Sequence, residues 1–227
     1  MKRIIQLTGD GSHTIAIPEL KVTYHSIHGA IQESMHVFVD AGLKPLLHAL
    51  NTICIFEMGF GTGLNALLTL QQAILHQQKI YYYAIELFPL QQQEYNELNY
   101  TTLLKDESLQ NYFEQMHACA WNTNIELHPL FTLHKTNASL LNLSVDHIFN
   151  LIYYDAFAPD AQPELWTKEV FLKIASLLIA NGVLVTYCSK GDVRRAIKAA
   201  GLTVEKLKGP PGKREMLRAI KIENYSN

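Results

Sequence analysis

Apolar residues along the chain fall into short runs, separated by longer segments in which they recur every three or four positions. The runs Ile53–Glu57, Ile80–Glu86, Leu127–His134, Ile148–Asp155, Val183–Cys188, Thr203–Leu207 and Glu215–Ile222 predict strands. The segments Leu64–Gln77, Leu90–Tyr100, Glu107–Ala118, Glu164–Ile179 and Gly191–Ala200 predict helices. Strands separated by helices imply βαβ units, hence an α/β fold with a mostly parallel sheet covered on both faces. The last two strands are joined only by a turn at Gly209, Pro210, Pro211 and Gly212, too short for a crossover. They are expected to form an antiparallel hairpin at the sheet edge. Residues 1–50 are read as a small extension, a β-hairpin (Ile4–Leu7, His13–Ile17, Lys21–Tyr24) with one or two helices. Residues 51–227 are read as the main domain.

Composition narrows the class. With 227 residues and 48% hydrophobic positions, the chain can bury one large core. Its cysteines, Cys54, Cys119 and Cys188, are few and scattered, which excludes a disulfide framework or a CxxC zinc site. The ten histidines form no HxH or HExxH pattern, so no metal is expected. The opening MKRIIQLTGDG lacks the long apolar core of a secretion signal. The most apolar stretch, Val170 to Ala180, carries Lys173 and is too short to span a bilayer. A cytoplasmic protein without a membrane partner is expected. The net charge of −2 hides an asymmetry. Ten basic and three acidic residues lie between Lys190 and Lys221, against nine basic and eighteen acidic elsewhere. An anionic partner for the basic end and a merely solvated helix and hairpin both fit that pattern.

In an open α/β sheet, ligands bind beyond the carboxyl ends of the parallel strands. Here those ends are Glu57, Glu86, the loop after His134, Asp155, Ser189 and the turn from Lys208 to Lys213. Glu57-Met58-Gly59-Phe60-Gly61-Thr62-Gly63 follows a strand and opens a helix, and its glycines let a ligand approach the backbone. Glu86 ends the next strand, where a carboxylate can take both hydroxyls of a ribose. A bare turn, a dinucleotide and S-adenosylmethionine all remain candidates. A carboxylate at Glu57 disfavours a pyrophosphate at the helix N-terminus and suits an ammonium group, as in S-adenosylmethionine.

The specific signal lies further on. Tyr154-Asp155-Ala156-Phe157-Ala158-Pro159 with Pro163-Glu164-Leu165-Trp166 reads DAFAP…PELW after the fourth main strand. Gln32-Glu33-Ser34-Met35-His36-Val37-Phe38, the Glu57–Gly63 loop with Leu64-Asn65, and Gly212-Lys213-Arg214-Glu215-Met216-Leu217 accompany it. In order and spacing, these blocks resemble the methyltransferase part of the MnmC family, the bifunctional tRNA 5-methylaminomethyl-2-thiouridine biosynthesis proteins, and its stand-alone relatives. The resemblance covers most of the chain. It implies a class I, Rossmann-like methyltransferase fold with a seven-stranded, mostly parallel sheet and an antiparallel edge hairpin. It also implies S-adenosyl-L-methionine as cofactor and methylation of 5-aminomethyl-(2-thio)uridine at the tRNA wobble position. The family's FAD-dependent oxidase part, and hence FAD, is expected to be absent from this chain, with a separate oxidase acting upstream.

Carried onto this sequence, the resemblance assigns Glu57, Gly59, Phe60, Gly61, Gly63 and Glu86 to the cofactor. Asn137 joins them as a candidate adenine contact, where relatives often carry Asp; a plain helix cap explains it equally well. Asp155 is the expected catalytic residue, orienting the substrate amine and able to take its proton; the alternative is a loop acid capping the turn before Pro159. Phe157 and Pro159 would shape an apolar wall, with Phe157 able to stack on a flipped base. Trp166 is expected to pack in the core. Lys190, Arg194, Lys208, Lys213 and Arg214 would hold anticodon-arm phosphates without reading sequence. Two other functions fit the fold: a small-molecule amine N-methyltransferase or aminopropyltransferase, and an RNA-binding scaffold with a vestigial pocket.

Overall fold

The apolar runs pair into one eight-stranded sheet, seen in a computed structural model that describes residues 2–222. The tail of the expected main domain, 223–227, lies outside the described residues. The chain opens with a three-stranded antiparallel sheet, β1 (Ile4–Leu7), β2 (His13–Ile17) and β3 (Val22–Thr23). Helix α1 (Ala30–Ser34) then runs directly into a π-helical segment, Met35–Leu43. Next come β4 (Thr52–Met58), α2 (Leu64–Leu75), β5 (Lys79–Ile85), α3 (Gln92–Tyr95), α4 (Tyr100–Leu104) and α5 (Ser108–Ala118). The strands β6 (Asn124–His128), β7 (Phe131–Thr136) and β8 (Phe149–Tyr154) follow. The chain ends through α6 (Lys168–Ser176), β9 (Leu178–Thr186), α7 (Gly191–Ala199), β10 (Thr203–Lys208) and β11 (Glu215–Ile220).

The spatial order is β10-β11-β9-β8-β4-β5-β7-β6. The five strands from β9 to β7 are parallel, and β11 runs antiparallel to both of its neighbours, as the short turn before it requires. Because β10 is parallel to the central strands, the turn after it emerges at the same sheet edge as the loop after β4.

Strand alternation sorts the core into two layers. On one face Ile53 and Ile55 of β4 pack with Tyr82, Tyr153, Leu67 of α2, and Phe38 and Leu43 of the π-helical segment. On the other, Phe56, Ile152 and Tyr154 pack with Phe171 of α6 and Ile197 of α7. The segment 30–43 therefore lies directly on the main sheet. Trp166 is buried against Tyr154 and Phe171.

Three predicted elements change. The run Leu127–His134 is not one strand but parts of two, because Pro129 and Leu130 turn the chain and β6 folds back antiparallel on β7. The Leu130 N–H leaves the ladder and donates to His128 Nδ1 at 3.1 Å. The sheet thus has eight strands rather than seven, with a hairpin at each edge. The predicted helix Leu90–Tyr100 is split into α3 and α4. Asn99 does not continue a helix; it accepts the His13 N–H and donates to the Gly11 carbonyl, tying this region to the N-terminal sheet. The predicted helix Glu164–Ile179 starts later, with Thr167 as the cap accepting from Val170 N, and ends earlier, because Leu178 already belongs to β9.

Candidate active site

A cavity of about 680 Å³ opens at the carboxyl ends of β4, β5 and β8. Its floor is the loop between β4 and α2. The Gly59 and Phe60 N–H groups donate to the Ile85 carbonyl, and the Gly63 N–H donates to the Phe60 carbonyl. The loop coils tightly: φ is +51° at Gly61 and +73° at Gly63. A Cβ on Gly61 would lie 3.0 Å from Tyr24 Cδ1, and one on Gly63 would lie 2.9 Å from His117 Nε2. Thr62, between them, is held from both sides. Its hydroxyl meets His25 Nε2 at 2.7 Å, and its carbonyl accepts from His117 Nε2 at 3.1 Å. Burial pushes His25 down to about 4 and His117 down to about 3, so both braces are neutral near pH 7.

Three carboxylates converge on this loop. Glu86 Oε2 accepts the Gly61 N–H at 2.9 Å and Oε1 accepts the Phe88 N–H at 2.8 Å, which leaves each oxygen a further lone pair. Asp155 lies on the cavity wall, and Asn65 Nδ2 of α2 donates to its Oδ2 at 2.9 Å. Burial, reinforced by the negative charge of Glu33, pushes Asp155 up to about 7 against the opposing pull of Asn65 and Lys213. Glu57 is fully buried on the face of Ile53 and Ile55, and neither of its oxygens has a hydrogen-bond partner. Asn65 and Tyr82 face it without meeting hydrogen-bond geometry, and burial holds its carboxyl well above the usual range. A buried carboxylate without a donor costs several kcal/mol as an anion, which favours the protonated form here.

The N-terminal segment forms one side of the cavity. The Tyr24 ring meets Phe157 edge-on at 5.1 Å. Trp166 Nε1 donates to the Phe157 carbonyl at 2.8 Å, and the Tyr187 hydroxyl donates to the Ala156 carbonyl at 2.8 Å, so the loop after β8 is pinned from two sides.

Of the residues singled out by sequence, Gly59, Phe60, Gly61, Glu86, Asp155 and Phe157 line the cavity. Glu57 and Gly63 lie buried at the loop. Asn137 is outside the lining; its Nδ2 donates to the Glu86 carbonyl at 2.8 Å, while its neighbours Ala138 and Ser139 line the wall. Pro159 is also outside the lining. Arg214 directly precedes β11, and Arg194 lies in the first turn of α7, both at the carboxyl edge of the sheet. Lys190 instead pairs with Asp160, and Lys213 turns inward to Glu33. Sequence reasoning gave no role to Asn65, His117 or Tyr187. Their partners lie 31 to 90 residues away, and no local pattern announces such contacts. Among the described residues, no group of three His, Cys, Asp or Glu is placed to hold a metal ion, and no helix is long and apolar enough to cross a membrane.

The parallel sheet with its antiparallel edge strand, and the glycine loop with its paired acids, define a class I methyltransferase. A family model described as S-adenosyl-L-methionine-dependent methyltransferase matches residues 101–222, and the chain belongs to that family. Its cofactor is S-adenosyl-L-methionine. The chain is 32% identical over 213 residues to the tRNA 5-methylaminomethyl-2-thiouridine biosynthesis bifunctional protein MnmC of Ectopseudomonas mendocina, covering 86% of this chain and 31% of that protein. It is 28% identical over 212 residues to the MnmC of Leptospira borgpetersenii, covering 89% and 32%. The chain thus spans about a third of the length of these relatives. The crystal structure of MNMC2 from Aquifex aeolicus superposes with a TM-score of 0.77 at 22% identity, covering 96% of this chain and 70% of that one. Spermidine synthase from Thermotoga maritima shares the fold more distantly, with a TM-score of 0.52 at 13% identity, covering 96% and 68%.

Proposed function

We propose that this chain methylates the primary amine of 5-aminomethyl-(2-thio)uridine at the wobble position of tRNA, to give 5-methylaminomethyl-(2-thio)uridine. The observation that carries the reading is Asp155, a carboxylate on the cavity wall, oriented by Asn65 and poised near neutrality. The names of the relatives support tRNA as the substrate.

The residues present fit the cofactor. The orphaned Glu57 carboxylate would take its ammonium group, and the free lone pairs of Glu86 would take the ribose hydroxyls. Gly59, Gly61 and Gly63, with Phe60, form the close-approach loop, and Asn137 braces the Glu86 backbone beside it. When bound, the cofactor supplies an electrophilic methyl group. The chain's own work is to hold the amine. Asp155 accepts an N–H hydrogen from it, takes the proton that an ammonium must lose, and leaves the lone pair directed into the cavity. Phe157 offers an apolar face to the base, and Pro159 follows it in the same loop. Arg194, Lys208 and Arg214 would contact phosphates of the anticodon arm, with exposed Lys190 at the same sheet edge. Such a substrate makes the cytoplasm the working compartment. An oxidase that unmasks the amine would act upstream.

Incubation with labelled S-adenosyl-L-methionine and tRNA carrying 5-aminomethyluridine tests the reading. Label is expected in the tRNA, and Asp155→Asn is expected to lower kcat by about 10²- to 10⁴-fold, the usual contribution of a positioned base, with cofactor binding retained. Transfer to a free polyamine with none to tRNA would overturn it in favour of a small-molecule enzyme.

A further inference from the structure

A partly buried ion pair, Glu33 inside and Lys213 partly exposed, stands near Asp155, outside the cavity lining. Glu33 of α1 is 5% exposed. Its Oε2 accepts the Ser26 N–H at 2.7 Å, and its Oε1 accepts from Lys213 Nζ at 2.5 Å. The Lys213 ammonium also lies 3.9 Å from the centre of the Tyr187 ring. The Tyr187 hydroxyl in turn donates to the carbonyl of Ala156, the residue after Asp155. The contacts run unbroken from the N-terminal segment, through the turn before β11, to the backbone that carries the proposed proton acceptor. Desolvation of the buried Glu33 and solvent screening at the 31% exposed Lys213 both trim the attraction, so the pair adds little net stability. Stability alone therefore does not account for it.

The charges around Asp155 suggest what it does. Glu33 faces it from α1, Asn65 from α2, Glu57 from β4, Tyr82 from β5, Tyr187 from the end of β9, and Lys213 from the turn after β10. Among these groups Lys213 is the one cation. His25, which faces Glu33, is neutral near pH 7. Without Lys213, three carboxyl groups would share one desolvated site, and Asp155 would hold its proton more tightly. Without Glu33, Lys213 would hold Asp155 as a firm anion and a weak base.

We infer that Glu33 and Lys213 are positioning residues for the transfer step: as an opposed pair they balance the charge at Asp155 so that it serves as acceptor of the amine proton. Lys213 also braces the Tyr187 ring that pins the following backbone. The inference rests on the reading of Asp155 given above. It makes Lys213 part of the reaction centre rather than of the RNA-binding rim.

The pH dependence of kcat for methyl transfer to tRNA tests it, in the wild type, Lys213→Met, Glu33→Gln and the double variant. Lys213→Met is expected to move the acidic limb upward by about one pH unit, the size of effect a close opposite charge produces. Glu33→Gln is expected to move it downward, the double variant to return it towards the wild-type position, and Lys213→Arg to leave it near the wild type. Shifts of the same sign, or none, would overturn the inference even if kcat falls, and would leave the pair a structural tie. Lys213 lies in a surface turn, so its variants are expected to fold; melting curves check this. If Glu33→Gln fails to fold, the carbon-13 titration of the Asp155 carboxyl in Lys213→Met and Lys213→Arg decides the matter alone. A wild-type protein that transfers no label to tRNA at any pH would sink the reading of function instead, and the carboxyl titration would still report on the pair.

Discussion

Glu57 sits on β4 in register with Ile53 and Ile55, so strand alternation sends its carboxyl into the layer beneath α2 rather than into solvent. With both oxygens unpartnered, burial favours the protonated form of the group in the cofactor-free protein. Its folded pKa is raised above the unfolded value. Between those two values the unfolded chain has lost the proton and the folded chain has not, so stability falls as pH rises through that window. Glu57→Gln, which imitates the protonated form, is therefore expected to raise the melting temperature of the cofactor-free protein at pH 8, with the gain fading towards pH 4. The same substitution removes the proposed ammonium partner. Cofactor affinity is expected to fall at least about tenfold, from the ~1.5 kcal/mol or more of a charge-assisted hydrogen bond. Titration calorimetry checks the second effect; undiminished affinity would remove Glu57 from the cofactor site.

The loop between β4 and α2 owes its shape to neighbours as much as to its glycines. Gly63 is left-handed at φ +73° and directly faces His117 of α5, whereas Gly201 is left-handed at φ +87° with open space, to at least 4 Å, where a Cβ would sit. Alanine at either position incurs the backbone strain, about 1–2 kcal/mol. Only Gly63→Ala also displaces the brace on Thr62. It is expected to cost more than Gly201→Ala in urea denaturation, and to weaken cofactor binding while Gly201→Ala does not. Equal losses with unchanged binding would show that the His117 brace is idle. The same dependence on distant partners explains which elements were legible beforehand. Strands β4, β5, β8, β10 and β11 and helices α2, α5 and α7 each follow from apolar periodicity and a nearby glycine, proline or polar stop. The break between α3 and α4 does not, because Asn99 makes its bonds to Gly11 and His13, 88 and 86 residues away. The hairpin of β6 and β7 had a local signal in Pro129, inside a run otherwise apolar enough to read as one strand.

The charge of the whole molecule is near balance, but its distribution is not. Within the basic segment, Lys206 pairs with Glu215, Arg218 with Glu205 and Arg195 with Asp192, while Lys213 is drawn inward to Glu33. Lys190 pairs with Asp160, and Lys221 donates to the Ala175 and Leu178 carbonyls. Among the described residues this leaves Arg194, Lys198, Lys208 and Arg214 with neither an ion partner nor such an anchor. Arg194 at the start of α7, Lys208 at the end of β10 and Arg214 before β11 lie at the carboxyl edge of the sheet, beside acids that are buried or turned to the cavity. Reversing Arg194 and Arg214 to Glu is expected to raise the tRNA KM and to flatten its salt dependence by about one in log–log slope for each phosphate no longer neutralised. Cofactor affinity, measured separately, is expected to stay unchanged. If cofactor affinity falls instead, this edge is not the RNA surface.

The local order of residues already contained the layered α/β architecture, the edge hairpin and the acids and glycines at the strand ends. Those features depend on periodicity, turn chemistry and chain direction, which act between near neighbours. It also contained Asp155 and Phe157, through a motif that is contiguous in the chain. Tertiary packing alone decided which of the acids is orphaned, which is shared with backbone N–H groups and which is poised near neutrality, because burial and opposing charge are set by side chains from other elements. It decided as well that Lys213 faces inward while Arg214, its neighbour in sequence, stays on the rim. A basic run records how much charge a segment carries; only the folded sheet, with Glu33 brought from α1, turns one of its lysines inward.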